Sequence, residues 1–199
     1  MNGQRPVRRA RYREIDPITD LVTAAVEQLP VAAWLVPDPQ RRSATVADVV
    51  RIWVEHALFY GEITVKFDDG DGQLLGAAVW FNRYGHIPPP TAYEQRILGA
   101  CRDHTHRFTV LAALLDVPPP GEPCQHLAFL ATAPERPDVA EFLLHQRHAN
   151  LDGYGTPAYT QAITTAQRDL FIRHGYQAQD TLHCPASTRS TPCGDPEIT

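Results

Sequence analysis

His126 and Tyr84 are the side chains of this sequence best placed to move a proton, with His86 beside Tyr84 as a substrate contact. His126 heads HLAFLAT, an unbroken apolar run that reads as a strand lining a cleft. A histidine there titrates near neutral pH and can act as base on an amine. Tyr84 and His86 follow a hairpin strand in YGHIPPP, from which they can reach over an acceptor. Trp34, Asp38 and Arg41 in WLVPDPQRR combine an aromatic wall with both charges, a set suited to contacting a small polar substrate. The competing readings are structural: a half-exposed strand-start histidine, a core tryptophan and a solvated loop. Glu55 and His56 point to different faces of one helix that ends near Tyr60, so one of the two can look into a cleft. His104 and His106 diverge by about 200° on a helix, whereas His145 and His148 share a face. Neither pair has an identifiable third ligand, so no metal is expected.

Well-spaced elements must carry these residues. VRRARYRE (7–14) alternates weakly and predicts an edge strand; Asp16-Pro17 then caps and opens a helix that Pro30 closes. A second helix is expected from Ser43 or Thr45, with Val46, Val49, Val50, Trp53 and Ala57 at helical spacing. EITVKFDD–GDG–QLLGAAVWF changes to period two and reads as a hairpin; no helix follows its GDG, which excludes a phosphate loop. Pro88–Pro90 precede a long helical stretch over 91–115, and Pro118–Pro120 end it. HLAFLAT is a central strand, and a helix over 138–152 follows with Val139, Phe142, Leu143, Gln146 and Leu151 on one face. PAYTQAI is a strand, TTAQRDLFIRHG a helix ended by Gly175, and YQAQDTLHC a last strand. Residues 185–199 turn to Ser, Thr, Pro and Gly and predict a mobile tail behind a domain over 1–184.

Composition narrows the class. The chain has 199 residues, is 43% hydrophobic and carries a net charge of −5. That is one α/β domain with a real core, and its charge argues against a nucleic-acid partner held through phosphates. Lys66 is the only lysine, and the arginines are dispersed. No run approaches the roughly 20 apolar residues of a membrane helix. The start lacks the apolar core of a secretory signal, so a cytoplasmic location is expected. Cys101, Cys124, Cys184 and Cys193 show no CxxC spacing and read as reduced thiols. GxSxG, HExxH, the Walker motif and GxGxxG at a strand–helix junction do not occur.

The run HLAFLATAPER, the helix containing LLHQRHANLDGYG, then PAYTQAI and TTAQRDLFIRHGY resemble the GNAT N-acetyltransferase superfamily. The family's closing signature reads here as Gln167, Leu170-Phe171, Arg173-His174 and Gly175-Tyr176. WLVPDPQRR lies where these enzymes place a substrate-contacting loop. The likeness spans 7 to about 184, and its most specific part is 126–176. It implies a mixed, mostly antiparallel central sheet flanked by helices. The implied reaction moves an acyl group from acetyl-CoA or another acyl-CoA to the amine of a small molecule, with a homodimer left open. Leu130, Ala131 and Thr132 would offer backbone to the pantetheine arm, and the helix from Asp138, with Arg136, would meet the pyrophosphate. Gln167 and Phe171 would complete the cofactor side.

The chain departs from that pattern at one loop. The family's glycine-rich Gln/Arg-x-x-Gly-x-Gly/Ala is replaced by Arg136-Pro137-Asp138-Val139-Ala140-Glu141, about two residues short and without glycine. Pro137 lacks an amide donor, and Asp138 and Glu141 add negative charge to the first helical turn. Phe171 stands where relatives carry a proton-donating tyrosine. Three readings therefore compete: an acyl-CoA-dependent transferase rescued by Arg136 and Arg168, an enzyme that keeps the cleft without CoA, and a binding protein without catalysis.

Overall fold

The alternation of Ile63, Val65 and Phe67 becomes strand β2 (Gly61–Phe67), which pairs antiparallel with β3 (Leu74–Arg83). Asp68 organises the turn between them, its carboxylate accepting from the Gly70 amide at 2.8 Å, and Gly72 adopts the φ of 74° that returns the chain. The computed structural model describes residues 6–115, 123–179, 182–183 and 197–198. Its main sheet has five strands in the order β1-β2-β3-β4-β5, where β1 is Arg8–Arg9, β4 Cys124–Thr132 and β5 Ala158–Thr160. Neighbours are antiparallel from β1 to β4, and β4 runs parallel to β5. This is the mixed, mostly antiparallel sheet implied by the sequence.

Both faces are covered. On one, α1 (Ile15–Glu27) and α3 (Pro39–Tyr60) bury Ile18, Val22, Val50 and Val54 against Ile63, Val65 and Val79. On the other, α6 (Asp138–Gly153) and α7 (Thr165–Arg173) bury Leu143, Leu144, Leu151 and Phe171 against Ala78, Trp80 and Leu127. A third apolar cluster joins α2 (Pro30–Leu35), α4 (Tyr93–Cys101) and α5 (Thr105–Leu115) to α3 through Val31, Leu35, Ile52, Ile97 and Phe108. The close seat of α6 depends on Gly76 of β3, where an added Cβ would lie 2.5 Å from Val139 Cγ1.

Several boundaries differ from the sequence expectations. The first strand is two residues long, because Tyr12–Glu14 form a 3-10 turn held by Arg8 on Glu14 at 2.7 Å. Pro30 opens α2 instead of closing a segment, since a proline at a first helical position loses no bonded amide. Helix α3 starts at Pro39, not beyond Ser43, because Asp38 already caps it by accepting from the Gln40 amide at 3.0 Å. The stretch over 91–115 breaks at Arg102, whose φ is +47°. Phe142 is solvent-facing instead of on the packed stripe. Gly175, at φ +87°, ends α7 as expected. The last strand does not join the main sheet: Leu182–His183 (β6) pairs with Glu197–Ile198 (β7). Cys184, Cys193 and most of the predicted tail lie outside the described residues.

Candidate functional site

Strands β4 and β5 are hydrogen-bonded only between Gln125–Leu127 and Ala158–Thr160. Thr160 Oγ1 donates to the Leu127 carbonyl at 2.9 Å and ends the ladder. There β4 also bulges, its register against β3 shifting so that Val79 faces Phe129 and Trp80 faces Leu127, with Ala128 the extra residue. Strand β4 continues to Thr132, while the chain after Thr160 leaves for α7. Among the described residues, the edge of Ala128–Thr132 away from β3 therefore has no strand partner. Leu130, Ala131 and Thr132 lie in this splayed stretch, and such an edge can pair with an extended, amide-bearing ligand.

His126 stands just before the splay, buried at 7% exposure and in register with Phe81 on one side and Tyr159 on the other. Directly paired residues share a face, and Phe81 belongs to the α1–α3 side, which places His126 there. Its Nε2 lies 2.9 Å from Gln161 Oε1. The Gln161 amide is oriented by its other end, whose Nε2 donates to the Leu115 carbonyl at 2.9 Å and to Tyr159 Oη at 3.3 Å. A carbonyl only accepts, so Oε1 must face the imidazole and accept from Nε2–H. The neutral tautomer that this bond selects has its proton on Nε2 and its lone pair on Nδ1, an atom buried from solvent. Burial raises the Tyr159 hydroxyl above its ordinary range, so at neutral pH it is a phenol.

The structure does not bring Tyr84 to His126. Gln125 Nε2 donates to Asn82 Oδ1 at 2.7 Å and to Tyr84 Oη at 2.8 Å, and Gln125 Oε1 accepts from Arg147 of α6 at 2.9 Å. Tyr84 thus belongs to the α6 face, opposite His126. Period-two alternation separates them: Gln125 and His126 are neighbours and must point to opposite sides. Arg147 also binds Glu62 at 2.9 Å, so this second network ties β2, β4 and α6 together.

The other candidates are held mainly in structural roles. His86 is exposed in the loop after β3. Trp34 packs into the third cluster, its carbonyl accepting from Arg107, whose guanidinium stands 6.0 Å from the indole centroid. Asp38 is the α3 cap, and Arg41 lies in the first turn of α3, partly buried. Arg42, not singled out by the sequence, pins the α2–α3 turn by donating to the carbonyls of Val36 and Pro37 at 2.8 and 3.1 Å. Thr164 caps α7 by accepting from the Gln167 amide at 3.2 Å, and the Gln167 side chain accepts from the Ile163 amide at 2.8 Å. Phe171 is a core residue against Tyr176, with ring centroids 5.4 Å apart. Glu55 pairs with Arg51 and Arg96, while His56 is enclosed by Trp53, Tyr60 and Phe81. His104 falls in a 3-10 turn and His106 in α5, while His145 is exposed beside a partly buried His148 that contacts Tyr176 Oη at 3.0 Å. Among the described residues no group of three or more metal-ligating side chains converges. Burial pushes the Cys101 thiol up to about 12, so it is an inert core group.

The start of α6 does not fit a pyrophosphate. The Arg136 guanidinium is clasped by the Asp138 carboxylate, Nε to Oδ1 at 2.9 Å and Nη2 to Oδ2 at 2.8 Å. The Arg136 amide donates to the Ala133 carbonyl at 2.9 Å. Pro137 has no amide hydrogen, and those of Val139 and Ala140 donate to the carbonyls of Arg136 and Pro137, each at 3.2 Å. Arg136 holds the Asp138 carboxyl below the usual carboxylate range. Of the donors that a helix start normally offers to an anion, those of Arg136, Val139 and Ala140 have internal acceptors, and Pro137 has none to give.

A cavity of about 800 Å³ follows the outer edge of β5, between the end of α6 and α7, and meets the His126 cluster only through Tyr159 and Gln161. No helix among the described residues is long and apolar enough to cross a membrane.

Element order, the bulged β4 and its divergence from β5 together define the GNAT acetyltransferase fold. Solved structures of that superfamily superimpose over nearly the whole chain. One, a histone acetyltransferase HPA2 and related acetyltransferase from Corynebacterium glutamicum, is 21% identical over 98% of this chain and 94% of its own, with a TM-score of 0.64. An agmatine N-acetyltransferase is 18% identical over 97% of this chain and 95% of its own, at 0.62. The C-terminal condensation domain of Ebony, solved with β-alanyl-dopamine, is 16% identical over 89% and 84%, at 0.57. At these identities the likeness is one of fold. No family model matches the sequence, and no curated protein sequence matches it at a significant level.

Proposed function

We propose that this protein transfers an acyl group from a thioester to the amine of a small molecule. The observation that carries the reading is the splay of β4 from β5 directly beside His126. The free edge of Ala128–Thr132 aligns the donor's extended arm by backbone pairing, which brings the thioester carbonyl next to the bulge at Ala128. The amine nitrogen attacks that carbonyl carbon, the C–N bond forms, and the C–S bond breaks. His126 takes the amine proton on Nδ1, which is buried in the free protein and has to be uncovered as the substrates bind, and Gln161 keeps the ring in that tautomer. Phe171 cannot supply a proton to the departing thiolate, which is protonated from solvent. Proximity of amine and thioester contributes much of the acceleration.

Phe81, Tyr159 and Gln161 adjoin His126, and the positive charge of Arg83 acts on Tyr159. They favour an amine on an apolar or aromatic body over a polycation, which would call for facing carboxylates. The solved relatives include enzymes named for agmatine and for arylalkylamines, both amines. The test is thiol release from acyl thioesters in the presence of a panel of aromatic and aliphatic monoamines, with His126→Ala as control. Amine-dependent release that the variant loses supports the reading. Release independent of amine, or none with any pairing, overturns it.

A further inference from the structure

The start of α6 is engaged by its own residues. In a transferase that grips its donor by the nucleotide, the first amides of this helix and a nearby cation would point outwards. Here the Arg136 amide binds Ala133, those of Val139 and Ala140 bind the two residues before the helix, and Pro137 has none to offer. The Arg136 guanidinium, the cation of this loop, is held by both oxygens of Asp138. Glu135, Asp138 and Asp68 all act on Arg136, and Arg173 is drawn to Glu141 at 3.1 Å. A nucleotide tail with its several phosphates would have to break the clasp and then face the freed carboxylates. Among the described residues, the β4 edge has no strand partner over Ala128–Thr132. One half of a donor site is kept and the other half is closed.

We infer that the acyl donor is recognised through its pantetheine arm alone: the substrate is an acyl-pantetheine or acyl-phosphopantetheine without the adenine nucleotide. This rests on the thioester-transfer reading above. The arm can come free in solution or attached to a carrier protein, and the chemistry at β4 is the same for both.

Calorimetric titration of the intact protein with pantetheine, phosphopantetheine, CoA and a holo-carrier protein tests it. Pantetheine and CoA are expected to bind within about threefold of each other, because the nucleotide adds no contact. Asp138→Gly should then tighten CoA at least tenfold and leave pantetheine unchanged; Asp138→Asn, which keeps the side-chain volume, should act in the same direction. A carrier-borne arm binding at least tenfold tighter than free phosphopantetheine assigns the protein-bound source, and equal binding assigns the free one. CoA binding more than thirtyfold tighter than pantetheine overturns the inference and leaves the acyl-transfer reading standing, as does an Asp138→Gly variant with unchanged CoA affinity. No binding of any of the four at millimolar concentration overturns the acyl-transfer reading itself.

Discussion

The Nε2 of His126 lies 2.9 Å from Oε1 of Gln161, and the glutamine is turned into that position by the carbonyl of Leu115 in α5. Through this relay a helix inserted between β3 and β4 decides which nitrogen of a strand histidine holds the proton. Replacing His126 by Ala or Gln is expected to lower kcat/KM for acyl transfer by about 100-fold or more. The fold should survive, as a far-ultraviolet spectrum unchanged from wild type would show.

Gln161 acts through His126. Gln161→Glu places a carboxylate beside the imidazole, favours its charged form and raises its pKa. The base then becomes available only at higher pH, so the acidic limb of the kcat/KM profile should move upwards. Gln161→Leu removes the tautomer constraint and should lower kcat more than it raises KM. An acidic limb that stays in place in the Glu variant would contradict the assigned role.

Gly76→Ala should lower stability by about 1–3 kcal/mol through forced separation of α6 from β3, since the new methyl meets Val139 Cγ1 at 2.5 Å. Gly61 is tighter, with the Trp80 carbonyl oxygen 2.0 Å from an added Cβ, and backbone cannot rotate away as a side chain can. Denaturant titrations should rank Gly61→Ala as the costlier change.

Arg147 binds Glu62 and Gln125 and lies 5.8 Å over the Trp80 ring, with side-chain exposures of 12% for Arg147 and 14% for Glu62. Arg147→Met leaves Glu62 with the exposed Arg9 alone. A loss of about 3 kcal/mol is expected, a fall in Tm of about 10 °C. A Glu62→Gln/Arg147→Met double variant should recover part of it.

Stability should also depend on pH through two enclosed histidines. Burial holds His56 and His148 below the ordinary value of 6.5, and for His148 the charges of His174 and His145 act in the same direction against Asp152. The unfolded chain takes up a proton on each near 6.5, and the native protein only at lower pH. Their contribution is therefore intact above about pH 6.5 and is lost as pH falls through that value towards the depressed native ones. Melting curves between pH 8 and pH 5 should show this decline, and His148→Gln should flatten it.

Strand and helix order was legible from local chemistry: the period-two run of β2–β3, the apolar HLAFLAT and the αL glycine at 175 each act within a few residues. Proline was harder to read, because Pro30 and Pro39 open helices, and a proline marks a start or a stop according to which amides its neighbours need. The break at Arg102 has no sequence signal; it lies between α4 and α5, which both pack with α3 in the third cluster.

For the site, the sequence by itself determined that the segment from Arg136 to Glu141 offers no glycine and one amide fewer, since those are properties of residue type. It also placed His126 near the start of its strand, which the structure begins two residues earlier, at Cys124. Only the tertiary structure decided that Tyr84 and His126 lie on opposite faces of the sheet, that Gln161 and Leu115 orient the imidazole, and that Asp138 clasps Arg136. These are contacts between atoms brought together by strand alternation, a bulge and an inserted helix pair. Sequence spacing names the groups, and folding decides which of them meet.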